Sequence, residues 1–299
     1  MFNLGGSMMS SLMKGTSSLG VGVGLRPTHF PYFLSQKPQV EWVEIISENF
    51  MGLRSMGLGG RPLVVLEKIR QDLQVAMHGV SLSIGSADAL DTVYLKRLKE
   101  LAERIEPFII SDHLCWTGID GRNVHDLLPL PFTPSAVNHV ASKIGMVQDF
   151  LGREILMENV SSYVTFSTSE MTEWEFFSEV ARQSGCGLLV DVNNIYVNAV
   201  NHGFSPLDYL HGLPTHSVRQ FHLAGHMESD DILIDTHSCL VAENVWNLYR
   251  EALKIFGTRS TLIEWDEEIP PIETLFQEAS KAKAIMREEI EGKVYEQEA

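Results

Sequence analysis

LQVAMH, residues 73–78, is a short apolar run that closes on an imidazole, and the rest of the chain repeats its pattern. FIISDH (108–113) closes on His113, EILME (154–158) on Glu158, GLLVD (187–191) on Asp191, VRQFH (218–222) on His222 and STLIE (260–264) on Glu264. Runs this short, apolar on both faces, are the signature of parallel strands covered on both sides. A parallel barrel opens the C-terminal ends of its strands onto one funnel. Strands that end on imidazole or carboxylate therefore predict ligands gathered at one face.

Outward from these runs, strands are predicted near 20–24, 41–47, 73–80, 108–114, 154–160, 187–193, 218–224 and 260–266. Apolar residues spaced three and four apart predict helices over 61–71, 91–106, 134–152, 169–184, 241–257 and 271–290, with shorter ones over 27–35 and 205–212. Pro134 suits a first helical turn, and Ser, Thr or Asp residues stand before several segments as N-caps. The alternation predicts the α/β class and a single (β/α)8 TIM barrel over residues 19–299. Residues 1–18, rich in Met, Gly and Ser, lack a signal peptide's apolar core and read as a disordered leader. Residues 115–133 form a long connection with Gly and Pro on the ligand-bearing face, the composition of a lid.

Composition narrows the function. A chain of 299 residues with 44% hydrophobic content can build one large core, and no apolar run reaches the length of a membrane span. Its formal charge of −16 repels phosphate backbones, so nucleic acid is not an expected partner. Cys115, Cys186 and Cys239 are odd in number and lack a CxxC pattern, which points to reduced thiols in the cytoplasm. Cys115 stands two residues beyond His113 and reads as a buried structural thiol.

A single strand-terminal His is more often a hydrogen-bonded structural residue than a ligand. Convergence of His78, His113, Glu158, Asp191, His222 and Glu264 on one funnel changes that, because crowded buried carboxylates repel unless cations or protons offset them. Three more residues fit a ligand role: Asn194, three past Asp191, and the Asp235-x-His237 pair, whose side chains share one side of an extended segment. The donors are nitrogen and oxygen without thiolate, compatible with zinc, manganese or iron. Asp112, Asn159 and Asn193 adjoin ligands and are placed to orient them. Glu48 and Asn49 end the second strand. His226, Arg122 and His125 are weaker candidates for meeting substrate.

GVGLRP, EWVEIISENFMG, HGVSLSIGS, SDHLCW, LMENVSSY, LLVDVNNIYVNA, FHLAGH, IDTHS and LIEWD, in that order over about residues 20–270, carry a resemblance. Together they resemble the multinuclear non-haem iron-dependent oxidative enzymes, the family of the methanobactin biosynthesis protein MbnB, which are similar in turn to xylose-isomerase-like barrels and endonuclease IV. The resemblance implies a three-ion arrangement. His78, His113 and Glu158 hold one ion; Glu158 as a bridge, with Asp191, His222 and Glu264, holds a second; Asn194, Asp235 and His237 hold the third. It also implies catalytic roles for His113, Glu158 and Asp191, with two to three iron ions in mixed Fe(II)/Fe(III) valence and O2 as co-substrate. The substrate it implies is a cysteine of a ribosomally made precursor peptide, bound to iron through sulfur and presented by a small partner protein. Where the nuclease pattern ends on His, this chain has Asn194, a harder oxygen donor that disfavours zinc. The alternatives on the same barrel are a metal-dependent phosphodiesterase, a sugar isomerase and a non-catalytic peptide-binding scaffold.

Overall fold

Strands that are aliphatic on both faces need cover on both sides, and a closed barrel inside a ring of helices provides it. The computed structural model describes residues 18–52 and 58–298, with side chains up to residue 291; the predicted leader lies outside them except for Ser18. In chain order the strands are β1 (Val21–Gly24), β2 (Trp42–Ile46), β3 (Gln74–Gly79), β4 (Ile109–His113), β5 (Trp116–Ile119), β6 (Arg122–Leu128), β7 (Leu156–Glu158), β8 (Gly187–Asp191), β9 (Val218–Leu223), β10 (Met227–Ser229), β11 (Ile232–Ile234) and β12 (Ser260–Ile263). Eight of them close a barrel in the order β1-β12-β9-β8-β7-β4-β3-β2, and its strand pairs are parallel. The predicted TIM barrel is the observed fold.

The helices are α1 (Phe30–Ser35), α2 (Arg61–Ile69), α3 (Thr92–Ile105), α4 (Pro134–Leu151), α5 (Glu173–Ser184), α6 (Val192–His202), α7 (Pro206–Gly212), α8 (Glu243–Phe256) and α9 (Ile272–Glu298). Their starts follow capping chemistry. Asp91 accepts from the backbone N–H groups of Val93 and Tyr94, and Thr133 accepts from Ala136 with Pro134 behind it. The helix predicted from 169 begins only at Glu173, because Thr172 and Glu175 form a reciprocal capping box there. Among the described residues, no helix is long and apolar enough to cross a membrane.

Three expectations are corrected. The strand predicted over 187–193 stops at Asp191, whose carboxylate caps α6 by accepting from Asn194 N at 2.7 Å. That helix was not predicted. The connection 115–133 is mostly the antiparallel hairpin β5–β6, and a second hairpin, β10–β11, follows β9. Both leave the C-terminal ends of barrel strands and so stand at the barrel mouth.

Period-two alternation layers the barrel interior. Trp42, Ala76, Ile109, Leu156, Leu189 and Leu262 pack together as an apolar floor. Two residues further along the same strands stand Glu44, His78, Ser111, Glu158, Asp191 and Glu264. Trp42 fits only because β1 carries Gly22 opposite, where a Cβ would lie 2.4 Å from the indole.

Candidate metal centre

Register decides which strand-end residues meet. His113 is the cross-strand partner of Glu158, and Asp191 that of His222, so an imidazole and a carboxylate stand side by side twice around the mouth. His78 lies one strand further, level with Ser111.

His78, His113 and Glu158 form a near-equilateral triangle of donors. His78 Nε2 and His113 Nε2 are 3.3 Å apart, and each is 3.2 Å from Glu158 Oε2. Metal–ligand bonds of about 2.1 Å set about 90–110° apart hold donors about 3.0–3.4 Å apart, the spacing found here. His113 Nδ1 donates to the Gly79 carbonyl at 3.1 Å, which leaves the Nε2 lone pair facing the triangle. His78 Nδ1 is 2.8 Å from Ser111 Oγ, a hydrogen bond that holds the ring in place.

Glu158 reaches both ways. Its Oε1 lies 3.0 Å from His222 Nδ1, which is also 2.9 Å from Glu264 Oε2. Glu158, Asp191, His222 and Glu264 thus make a second buried group, with ligand atoms within 4.8 Å of one another. On the far side of the ring, His222 Nε2 meets Glu44 Oε1 at 3.0 Å, a carboxylate absent from the sequence-derived set.

A third group surrounds His237. Its Nε2 lies 2.7 Å from Asp235 Oδ1 and 3.8 Å from Asp191 Oδ2, while its Nδ1 faces Asp266 Oδ2 at 3.1 Å and Glu264 Oε2 at 3.3 Å. His237, Glu264 and Asp266 also bring donor atoms within 4.8 Å of one another, so Asp266 is a second carboxylate at the centre that the strand-end pattern does not include. The Asp235-x-His237 pair meets for another reason than strand alternation. His237 lies beyond β11 with φ of 45°, and this left-handed turn brings its ring back to Asp235.

Electrostatics divides the histidines into two kinds. Burial, with His113 and His222 nearby, drives His78 well below the usual histidine range, and burial also lowers His113; both are held as neutral imidazole, the ligating form. Burial would lower His222 too, but Glu264, Glu44 and Glu158 overcome it, as Asp235 does for His237. Burial raises Glu158 to about 7 and pushes Asp191 well above the carboxylate range. Positive charge is what this pocket lacks.

Unpartnered buried atoms test whether metal ions suit it. Glu158 Oε2, Asp191 Oδ2, Asn194 Oδ1, His222 Nδ1 and His237 Nε2 are buried without a hydrogen-bond partner. Buried polar atoms are rarely left so, and all five are of the kinds that ligate metal ions. The donors fit bound cations.

A model of the RiPP precursor modification enzymes MbnB/TglH/ChrH matches residues 20–287. The chain belongs to this family. The MbnB/TglH/ChrH enzymes act on ribosomally made precursor peptides, and the His and carboxylate groups of this member can hold metal ions. Relatives carry the name UPF0276 protein, which states no activity. One from Anaeromyxobacter sp. (strain Fw109-5) is 55% identical over 89% of this chain and 93% of its own, and one from Acaryochloris marina is 48% identical over 89% and 95%. Among solved structures, an L-ribulose 3-epimerase superposes with a TM-score of 0.57 at 14% identity, covering 93% of this chain and 96% of its own. Endonuclease IV from Thermus thermophilus superposes at 0.54 and 14% identity, covering 91% and 99%. These likenesses establish the barrel that the MbnB/TglH/ChrH member shares with xylose-isomerase-like proteins.

The remaining candidates fall into place around the centre. Asn159 clamps Asp191 from both sides, donating to its carbonyl at 3.0 Å and accepting from its N–H at 2.9 Å. Asn193 donates to Asp235 Oδ1 at 2.8 Å and takes His226 Nδ1 at 2.7 Å, which ties His226 to the third group through one amide. Asp112 does not orient the histidine rings. It accepts from the His113 and Leu82 backbone, and burial with Glu48 beside it raises its pKa well above the carboxylate range. Glu48 binds Val80 N and Tyr94 OH and stays out of the donor groups; Asn49, Arg122 and His125 are exposed. Cys115 is buried, as expected. A mid-strand signal for Glu44 was present: WVEII places one carboxylate inside an apolar run, and a charge buried there needs a partner.

Proposed function

We propose that this protein is a multinuclear non-haem iron enzyme that uses dioxygen to modify a cysteine of a precursor peptide. The observation that carries the reading is the two-sided Glu158 carboxylate, with Oε2 closing the His78–His113 triangle and Oε1 on His222. A carboxylate shared in this way holds two cations close together, the arrangement suited to chemistry on two reactants at once. Bound iron would supply the electron transfer to dioxygen and the affinity for thiolate that side chains lack.

The chain's own residues do the positioning. His78, His113 and Glu158 would hold one ion, Glu158, Asp191, His222 and Glu264 a second, and Asn194, Asp235 and His237 a third, with His113, Glu158 and Asp191 in catalytic roles. Two to three ions in mixed Fe(II)/Fe(III) valence fit this donor set. Support for a peptide and a small partner protein comes from the mouth, where Ile119 and Val124 on one hairpin and Met227 and Ile232 on the other are exposed. Apolar side chains at a rim favour docking of a chain. The reduced thiols and the charge of −16 suit a cytoplasmic enzyme that does not bind nucleic acid.

The test is aerobic incubation of iron-loaded protein with cysteine-containing peptides, followed by mass spectrometry. The expected result is a mass change confined to cysteine, absent without oxygen and absent in His113→Ala and Glu158→Ala. Full activity in an iron-free preparation, or turnover that continues anaerobically, rules the reading out.

A further inference from the structure

We propose that Glu44 is the positioning residue for His222, holding the imidazole in the tautomer whose Nδ1 lone pair faces the centre. The inference rests on the metal-centre part of the reading above and not on the reaction.

His222 lies wholly inside the barrel, with Nδ1 toward Glu158 and Glu264 and Nε2 toward Glu44 and Gln220. Carboxylates stand on both sides of the ring, but an Nδ1 that gave its lone pair to a cation would leave the imidazole its one proton on Nε2. Glu44 Oε1, 3.0 Å away, only accepts when ionised, so it calls for Nε2–H and leaves Nδ1 free to bind. Gln220 pulls the other way. Its Nε2 is also 3.0 Å from His222 Nε2, and as a donor it favours a lone pair there, which would turn Nδ1–H toward the centre. The same amide donates to Glu44 Oε2 at 2.6 Å, so Glu44 both outcompetes Gln220 and occupies it.

Burial gives the arrangement its strength. Glu44 is 2% exposed and Gln220 and His222 are fully buried, so no water substitutes for a lost partner. A carboxylate behind a ligating imidazole also makes its far nitrogen a better donor. Glu44 touches neither the His78 ring nor the His113 ring, which are set by Ser111 and Gly79. Its hydrogen bond therefore acts on the ring of His222 and on neither of these two.

The test is anaerobic Fe(II) titration of metal-free full-length protein, with Co(II) absorption reporting nitrogen ligation and thermal unfolding followed in parallel. In Glu44→Gln two amides face Nε2, and affinity for one ion is expected to fall about 10–100-fold while the ion on His78 and His113 is retained. Glu44→Gln combined with Gln220→Glu returns a carboxylate to within reach of Nε2 and is expected to recover most of that affinity. A merely structural role would lower the unfolding temperature and leave affinity unchanged, which overturns the proposal, as does a folded double variant as weak as the single one. Should Glu44→Gln not fold, Glu44→Asp draws the carboxylate back from the ring, and unchanged affinity there overturns it equally. Wild-type protein that takes up no iron overturns this inference and the metal-centre reading together; a failure seen only in the variants overturns this inference alone.

Discussion

Nδ1 of His237 lies 3.1 Å from Oδ2 of Asp266, whose Oδ1 is held 2.5 Å from Arg26 Nη2. A carboxylate on Nδ1 keeps the proton there and leaves Nε2 for a cation beside Asp235. Asp266→Ala is expected to lower the number of tightly held ions by one per chain, or to weaken that ion about 10–100-fold, with little loss of fold because the side chain is 38% exposed. Metal content after dialysis checks this; unchanged stoichiometry and affinity would show that Asp266 serves another purpose.

The amide oxygen of Asn194 is buried and unpartnered, and the proposed reading makes it a ligand that tunes metal preference. Asn194→His supplies a softer nitrogen donor and is expected to raise zinc uptake relative to iron. Competitive loading with equal Zn(II) and Fe(II), followed by elemental analysis, reads the ratio. A ratio equal to that of the wild type would remove Asn194 from the ligand set.

Glu173 lies away from the centre, partly buried, with Tyr209 OH donating to it at 2.9 Å and Asn198 Nδ2 at 3.1 Å. Burial raises its carboxyl to about 7 from 4.5. Between those values the folded state keeps a proton that the unfolded state has released, so stability falls as pH rises from about 4.5 to about 7 and then levels. The cost at the upper end is about 3 kcal/mol at most. In Glu173→Gln this component disappears. The variant is expected to gain on the wild type as pH rises from about 4.5 to about 7 in denaturant unfolding and to hold that gain above it, and parallel curves would contradict the assignment.

Gly22 leaves room for the Trp42 indole that plugs the barrel floor. Gly22→Ala puts a methyl group 2.4 Å from that ring, and neither a barrel strand nor a buried indole shifts cheaply. A loss of about 1–3 kcal/mol is expected in chemical unfolding, with the metal groups at the other end of the barrel keeping their affinity. Stability within about 0.5 kcal/mol of the wild type would mean that the floor is loosely packed.

Much of the barrel was legible because its strands announce themselves locally. Apolar runs such as GLLVD and STLIE need only their own composition to be read, and each became a strand ending at or beside its ligand. Helix α6 was not legible: VNNIYVNAVN lacks a clean apolar stripe, and it starts as a helix because Asp191 caps it. The hairpin within the 115–133 connection was not legible because β6 is largely exposed and carries no buried-strand pattern. Glu44 sits in mid-strand, outside the strand-end pattern, and nothing in LIEWD sets Asp266 apart from an ordinary surface aspartate.

What the sequence determined by itself was the inventory: eight buried strands, the imidazoles and carboxylates at their ends, and an amide at Asn194. Those are local properties, set by side-chain chemistry and a two-residue period. Tertiary structure decided the pairings: Glu158 facing His78 and His113 with one oxygen and His222 with the other, Glu44 turned onto the back of His222, and His237 swung round by a left-handed residue. These contacts depend on barrel closure and strand register, which join residues as far apart as Glu44 and Gln220, 176 positions along the chain. No local pattern encodes a distance across a closed interior, because it exists only once every strand has found its neighbours.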